Sequence, residues 1–382
     1  MEPQDQTNRE RSASSDVVTL FLCGDVMTGR GVDQVLPHPS DPRLYEPYMT
    51  SALAYVELAE RANGPIPRPV DFAYVWADAL AELERKRPAA RIINLETSVT
   101  KSDDYQAKGI NYRMSPENVG CIAAAGIDCC ALANNHVLDW GYAGLGETLE
   151  VLQEAGVKTA GAGRDIREAE APAMLDVLGP GRVIVFAFGS VTSGIPRSWA
   201  AAENRPGVNL LDDLSERTVR RIADKVREVK RPDDIVVASI HWGANWGYQV
   251  PRRHTAFAHR LIDAAGVDVV HGHSSHHAKA IEVYRGKPIL YSCGDFLNDY
   301  EGIGGYESFR NDLVLTYFLS IARSEGRLVG LDMTPFRIRN FRLNRASRDD
   351  ARWLGDTLTR EGRRFGTRAD LKDDNTLALG WG

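Results

Sequence analysis

Short apolar runs that alternate with helical patterns constrain this chain more than any other feature of its sequence. Residues 17–23, 91–95 and 235–240 are rich in β-branched and other apolar side chains and predict buried strands. Residues 144–155 and 255–265 carry apolar side chains at helical spacing. Further strands are predicted at 128–134, 182–188, 267–270, 281–284, 288–293, 312–322 and 328–337, and a C-terminal helix at 349–364. This alternation predicts an α/β fold.

Polar side chains that can bind a metal ion follow several of these predicted strands. They are Asp25, Glu96, Asn135, His241 and His273. In open α/β sheets, ligands bind just beyond the carboxyl ends of the strands. Because the five residues come from distant parts of the chain, we expect them to converge on one site. The alternative is that strands simply end in polar loops.

The segment HGHSSHH, residues 271–277, is the densest group of candidate ligands. It holds four of the nine histidines of the chain. Imidazole is both a common metal ligand and the usual general acid or base near neutral pH. We therefore predict a metal-binding or catalytic role for His273 and His276. His277 is also a catalytic candidate, although it or His271 could instead support a neighbouring ligand by hydrogen bonding.

A second candidate group is the sequence NNH at 134–136, followed by Asp139. The side-chain oxygen of Asn135 is a hard, neutral ligand, and His136 beside it can transfer a proton. Asp139 is the nearby carboxylate that could orient the His136 ring. Asp139 could also cap the helix that begins near Gly141, because Asp is a favoured N-cap residue, and the two roles are compatible.

Composition limits the partners and the compartment. The chain has 46 Lys and Arg against 52 Asp and Glu, a net charge of −6, which argues against nucleic acid or an anionic membrane as the main partner. There is no apolar run of about 20 residues of the kind that spans a membrane. The odd number of cysteines, five, and the adjacent Cys129 and Cys130 indicate buried free thiols in a reducing cytoplasm.

Three regions are expected along the chain. Residues 1–16 are polar and read as a disordered leader, 17–345 as the folded domain, and 346–382 as a C-terminal helix and tail packed on it. The Pro-rich segment 37–69 is either an insertion over the site or a surface loop with a helix.

Five stretches carry a family resemblance: GDVMTGR (24–30), NLETSVT (94–100), 133–164, IHWG (240–243) and 267–300. Together they resemble the CapA family, which is named for poly-γ-glutamate capsule synthesis and is similar to calcineurin-like metallophosphoesterases. The resemblance implies a four-layer αββα sandwich of two mixed sheets.

The same resemblance implies a site. Asp25 and His276 would hold one divalent ion; Asn135, His241 and His273 would hold a second; Glu96 would bridge the two ions, and His136 would be the proton donor. By ligand type the metal is Mn, Zn, Fe, Mg or Ca.

Three departures from the family pattern weaken the first metal position. Met27 stands where the superfamily often has a His, the usual Gly-His-x-His is lengthened by one residue, and Asp295 replaces a common Asn.

Four functions remain open. We rank first a metal-dependent enzyme that uses His136, Asp139, His276, His277 and Asp295 for acid–base chemistry on a peptide, as in Cα epimerisation of a lasso-type precursor. The alternatives are an enzyme that makes or processes poly-γ-glutamate, a metal-dependent phosphoester hydrolase, and a non-catalytic scaffold. The expected substrate is a peptide or a polyglutamate-like chain.

Overall fold

The computed structural model describes residues 16–382, so all but the last residue of the predicted leader lies outside the described residues. In this part of the chain the strands are β1 Val17–Val26, β2 Ala90–Leu95, β3 Ser98–Val99, β4 Arg113–Met114, β5 Cys129–Ala131, β6 Lys158–Ala160, β7 Ala162–Gly163, β8 Ala173–Asp176, β9 Arg182–Gly189, β10 Gly207–Val208, β11 Ile235–His241, β12 Val269–His273, β13 Ile281–Tyr284, β14 Lys287–Leu290, β15 Asp295–Leu297, β16 Leu313–Ala322, β17 Arg327–Arg339, β18 Arg342–Arg345, β19 Thr367–Leu371 and β20 Leu377–Trp381. The α-helices are α1 Leu53–Asn63, α2 Asp78–Lys86, α3 Gly120–Ala124, α4 Gly141–Glu154, α5 Ile166–Glu170, α6 Glu216–Val229, α7 Arg252–Ala265 and α8 Arg348–Gly362.

Most strands belong to two mixed sheets. The large sheet has the order β19-β20-β17-β16-β1-β2-β5-β6, with β15 beside β1 and β18 beside β17. The six-stranded sheet has the order β13-β14-β12-β11-β9-β8. In each sheet the central strands run parallel, β1-β2-β5-β6 in one and β14-β12-β11-β9 in the other. Antiparallel strands extend the large sheet on the β1 side and both sides of the six-stranded sheet, whereas β6 forms the other edge of the large sheet as a parallel strand.

The two sheets pack face to face. Along β11, alternate side chains point toward the other sheet and toward the helices on the outer face. Ile235 and Val237 join the core that includes both sheets, whereas Val236 and Ala238 join a second cluster with apolar residues of α6 and α7. Helices α2, α3 and α4 contribute apolar side chains to the core that contains the large sheet. The predicted αββα sandwich is confirmed.

Local sequence signals correctly predict one helix end and one hairpin turn. Helix α7 ends at Gly266, whose φ of 69° lies in the left-handed region that favours glycine. The hairpin predicted around 285–287 joins β13 to β14 through Arg285 and Gly286, which both have positive φ.

The C-terminal tail and segment 37–69 both pack on the folded domain. Residues 367–371 and 377–381 form strands, and β20 pairs with β17 at the edge of the large sheet, where the sequence predicted only a tail. Segment 37–69 contains α1 and packs through Glu46 and Tyr55 against Arg30.

All five cysteines are buried and unpaired. Within residues 16–382, no helix has the length and apolar character needed to cross a membrane.

Candidate active site

The register between β11 and β12 sets the centre of the site. His241 lies opposite His273, and Ser239 lies opposite His271, two residues earlier on each strand. Side chains alternate along a strand, so these four share a face with Val237 and Val269, which pack in the core between the sheets. The two imidazoles therefore point toward the large sheet, where β1 supplies Asp25.

Asp25, His241 and His273 form a compact group of donors. Nδ1 of His241 is 2.8 Å from Nδ1 of His273, and Oδ1 of Asp25 is 3.6 Å from the His273 nitrogen and 3.9 Å from the His241 nitrogen. One ligand atom from each lies within 4.8 Å of the others, and all three residues are buried. The family pattern would divide these residues between two ions; the structure groups them.

Asn135 and Glu96 extend the group on the other side of His241. Oδ1 of Asn135 is 2.7 Å from Nε2 of His241. Oε1 of Glu96 is 3.8 Å from that nitrogen and 3.8 Å from Nε2 of His136. Five of the six residues predicted as metal ligands thus lie together.

The electrostatics of these donors fit a divalent cation. Burial, with the nearby Asp295 carboxylate, raises the pKa of Asp25, and burial with the Asp25 charge raises the pKa of Glu96 well above its usual range. Burial also lowers the pKa of His241 and of His273 well below the ordinary value, so both rings are neutral. Neutral imidazoles and crowded carboxylates are the ligand set of a divalent transition metal, whose charge would offset the carboxylate repulsion.

Hydrogen bonds from neighbouring residues hold the donors in place. Nδ2 of Asn94 donates to Oδ1 of Asp25 at 2.6 Å, and the Ser274 amide donates to Oδ2 at 3.0 Å. Oγ of Ser239 lies 2.9 Å from Nε2 of His273 and 3.1 Å from Nδ1 of His271. His271 is fully buried and contacts the hydroxyl of Ser239, which in turn contacts the His273 ring.

His136 and Asp139 form a hydrogen-bonded pair. Nδ1 of His136 is 2.6 Å from Oδ2 of Asp139, which also accepts from the Tyr112 amide at 2.7 Å. The Asp139 side chain does not cap α4, which begins after Trp140 without a side-chain cap. Burial lowers the pKa of His136 to about 4, even though Asp139 acts in the opposite direction.

His276 and Asp295 form a second pair of the same kind. Nδ1 of His276 is 2.9 Å from Oδ1 of Asp295, whose other oxygen accepts from Nδ2 of Asn298 at 2.8 Å. Nε2 of His276 lies 3.0 Å from Nδ2 of Asn245. Burial opposes protonation of His276, but the carboxylates of Asp295 and Asp25 together raise its pKa above the ordinary value.

A cavity of about 280 Å³ brings the two pairs together. Both imidazoles line this cavity, and so do Glu96 and Asn135 from the donor group; the remaining lining residues are Lys108, Ile110, Tyr112, Ser193, Gly194, Asn245, Ser274 and Tyr300. The cavity therefore borders both histidines and two residues of the donor group.

Comparison with known proteins identifies the family of this chain. The family of bacterial capsule synthesis proteins called PGA_cap matches residues 19–300. The chain belongs to this family.

Three relatives have names that refer to polymer synthesis. A probable polyglutamine synthesis accessory protein of Mycobacterium tuberculosis is 50% identical over 370 residues, 96% of this chain and 97% of the relative. The PGA biosynthesis protein CapA of Bacillus subtilis is 27% identical over 335 residues, 87% of this chain and 75% of the relative. The capsule biosynthesis protein CapA of Bacillus anthracis is 25% identical over 325 residues, 85% and 68% of the two chains.

His277 lies outside the cavity of this capsule synthesis family member. Its Nε2 accepts from the Gly247 amide at 3.1 Å, and its ring packs against Tyr248 and Phe309, with centroid distances of 4.5 Å and 4.7 Å. Segment 37–69 likewise contributes none of the residues that line the cavity. Met27 is buried, with its sulfur 3.5 Å from the hydroxyl of Tyr300.

Sequence reasoning missed Lys108, Tyr112 and Tyr300, which all line the cavity. Lys108 and Tyr112 come from the irregular segment between β3 and β4, where no strand end or His marks a site. Tyr300 is close in sequence to Asp295, in a stretch that carries the family resemblance, and this position could have indicated that it lies at the site.

Proposed function

We propose that the protein is a metal-dependent enzyme that transfers protons at Cα of an amide-linked glutamate or glutamine chain and so inverts that carbon. One observation carries the proposal: the histidines of two His–carboxylate pairs, His136–Asp139 and His276–Asp295, line one cavity beside a group of metal donors. Inversion at carbon needs a base on one face and an acid on the other.

The two histidines are suited to opposite tasks. Nδ1 of His136 donates a hydrogen bond to Asp139, so Nε2 is free to accept a proton in the cavity. His276 is held by Asp295, which favours its charged form, and it is suited to donate. In the proposed reaction a Cα–H bond breaks as His136 takes the proton, and a new Cα–H bond forms from His276 on the opposite face. No electrons leave the substrate.

The donor group supplies the remaining requirement. Asp25, His241 and His273 would hold a divalent ion, with Asn135 and Glu96 beside them. A bound ion of this kind stabilises the negative charge on a carbonyl oxygen next to the reacting carbon. Glu96 and Asn135 also line the cavity, so a carbonyl group in it lies beside the donor residues.

The substrate class rests on the relatives. Their names refer to polyglutamine synthesis and PGA biosynthesis, and the first covers nearly the whole of this chain. In an α-linked chain Cα lies beside an amide carbonyl, as it does in a ribosomal precursor peptide of lasso type, which is the second substrate to test. In a γ-linked chain Cα lies beside the free α-carboxylate, and an oxygen of that group would take the place of the carbonyl oxygen. We also propose that the protein acts in the cytoplasm, a location supported by five buried, unpaired cysteines.

Phosphoester hydrolysis is less well supported by the donor set. Two-ion displacement needs two metal positions about 3.5–4 Å apart. Among residues 16–382 there is one group of three His, Cys, Asp or Glu donors, and His276 binds Asp295 and Asn245 rather than completing a second group.

Deuterium exchange tests the proposal. The metal-loaded protein is incubated in D₂O with γ-linked glutamyl oligomers, α-linked glutamine peptides or a lasso-type precursor, and mass spectrometry measures deuterium at Cα and chain length. We expect deuterium uptake without cleavage, and loss of uptake in His241→Ala/His273→Ala. Shortened chains without uptake would identify a hydrolase instead.

A further inference from the structure

Lys108 contacts three residues of the proposed site, and no sequence signal connects it with them. Its Nζ is 2.7 Å from Oδ1 of Asp139 and donates to the backbone carbonyl of Asn135. The same nitrogen is 3.3 Å from Nδ1 of His136. Its side chain is only 22% exposed, and the Asp139 carboxylate is fully buried. This ion pair is therefore not one of the exposed pairs that contribute little.

The two oxygens of Asp139 have separate partners. Oδ2 accepts from Nδ1 of His136 and from the Tyr112 amide, whereas Oδ1 faces the Lys108 ammonium. A 2.6 Å contact between the His136 nitrogen and a carboxylate oxygen requires a proton between them. In this hydrogen bond Nδ1 of His136 donates and Oδ2 of Asp139 accepts, and the Lys108 ammonium lies at the opposite oxygen. Lys108 therefore fixes Asp139 from the side that His136 does not use.

The contact with Asn135 gives the ammonium a second effect. The ammonium contacts both the backbone carbonyl of Asn135 and the carboxylate that orients His136. The side chain of Asn135 in turn lies 2.7 Å from Nε2 of His241. One cation thus joins a proposed metal ligand to the proposed proton carrier.

The loop that carries Lys108 is anchored without the ammonium. The Gln106 amide donates to the Asp139 carbonyl at 2.8 Å, and Nδ2 of Asn111 donates to the same carbonyl at 3.3 Å. The backbone amide of Tyr112 also donates a hydrogen bond to the Asp139 side chain. We therefore expect the loop to keep its backbone path when the charge is removed.

We propose that Lys108 is a positioning residue that holds the turn 135–139 so that His136 and Asn135 keep their places at the cavity. Its role in catalysis rests on the proposed function, but its effect on the His136–Asp139 hydrogen bond does not. Lys108 is not placed as a contact of the substrate, because Asp139 and the Asn135 carbonyl already occupy its ammonium.

The variants Lys108→Met and Lys108→Arg test this role, with Lys101→Met as the matched control. Lys101 is an exposed lysine of the same inter-strand segment and pairs with Glu117, away from the cavity. The first readout is the downfield proton resonance of the His136–Asp139 hydrogen bond, assigned by its loss in His136→Ala. We expect this resonance to shift or broaden in Lys108→Met, to be partly restored in Lys108→Arg, and to be unchanged in Lys101→Met.

The second readout is turnover. In Lys108→Met we expect kcat to fall by up to about 100-fold, the effect of a small misplacement of a catalytic group, while KM changes little. Combination with Asp139→Asn should add little to the loss caused by Asp139→Asn alone, because both changes disturb one ring. A resonance and kcat in Lys108→Met equal to those of the wild type would overturn the proposal. If the resonance responds but no variant or wild type exchanges deuterium, Lys108 positions His136 and the proposed reaction is wrong.

Discussion

His136 is the residue on which the proposed chemistry depends most. It lies next to a proposed ligand, Asn135, yet its own ring faces Glu96 and the cavity while its other nitrogen is bound by Asp139. The sequence could predict this pair, because His136 and Asp139 are three residues apart. It could not predict Lys108 or Asn94, whose contacts with the site residues depend on how separate loops and strands meet.

Replacing His136 tests its role directly. Loss of a positioned general acid or base lowers a rate by about 10²–10⁴-fold, and we expect that loss of turnover in His136→Ala. Asp139→Asn should lower turnover less, since the imidazole stays in place. Metal content, measured by elemental analysis, should stay near the wild-type value in both. A metal-free His136→Ala protein would show instead that His136 is a ligand.

His277 separates packing from chemistry within the same histidine cluster. Its ring is stacked among aromatic side chains, and its contact with the Gly247 amide is structural. We expect His277→Phe to keep turnover and metal binding and to lose about 1 kcal/mol of the free energy of unfolding, the usual contribution of one hydrogen bond. Denaturant unfolding and the exchange assay measure the two effects. A loss of turnover as large as that of His136→Ala would restore the catalytic role predicted for His277.

At the scale of secondary structure, the pairing of β11 with β12 assembles the donors. Apolar patterning predicts both strands, and period-two alternation places Ser239, His241, His271 and His273 on one face. The packing of that face against β1 of the other sheet, which brings Asp25 to the histidines, depends on the whole fold. Strands β19 and β20 were missed because each has only five residues, and β19, with the sequence TRADL, alternates buried residues with the charged Arg368 and Asp370 and forms no apolar run.

Ser239 tests the support that one strand gives to the donors. Its hydroxyl contacts both His271 and His273, so Ser239→Ala should free the His273 ring to turn. Loss of such a supporting hydrogen bond typically lowers metal affinity by about 10–100-fold. Calorimetric titration with Mn²⁺ or Zn²⁺ measures the affinity. Ser215→Ala is the control, because Ser215 precedes α6 without a side-chain cap bond; equal affinity in the two variants would argue against this support.

At the scale of the whole molecule, a buried ionic cluster around Arg30 joins three distant segments. Arg30 makes two hydrogen bonds to Asp299, at 2.5 Å and 3.1 Å, and one to Glu46 at 2.8 Å. Its guanidinium also lies over the rings of Tyr55 and Tyr112, the second of which lines the cavity. Segment 37–69 thus contacts Arg30, which in turn contacts a residue that lines the cavity. Its Pro-rich composition did not predict this contact.

Arg30→Met should destabilise the fold strongly, because two buried carboxylates lose their counter-ion. Breaking a buried pair in this way costs about 3–5 kcal/mol. Arg43→Met is the matched control, since Arg43 pairs with Asp41 on the surface and exposed pairs contribute only about 0–1 kcal/mol. Urea unfolding monitored by tryptophan fluorescence compares the two, and similar midpoints would contradict the buried role of Arg30.

The central claim is that two histidines serve opposite faces of one carbon, and the stereochemistry of exchange tests it most directly. L- and D-γ-glutamyl oligomers are incubated separately in D₂O with metal-loaded wild type, His136→Ala and His276→Ala, and deuterium at Cα is measured by mass spectrometry. We predict exchange from both stereoisomers with the wild type. Each single variant should lose exchange from one stereoisomer far more than from the other, with opposite preferences in the two variants. Equal losses from both stereoisomers in both variants, or wild-type protein that exchanges neither, would contradict the claim.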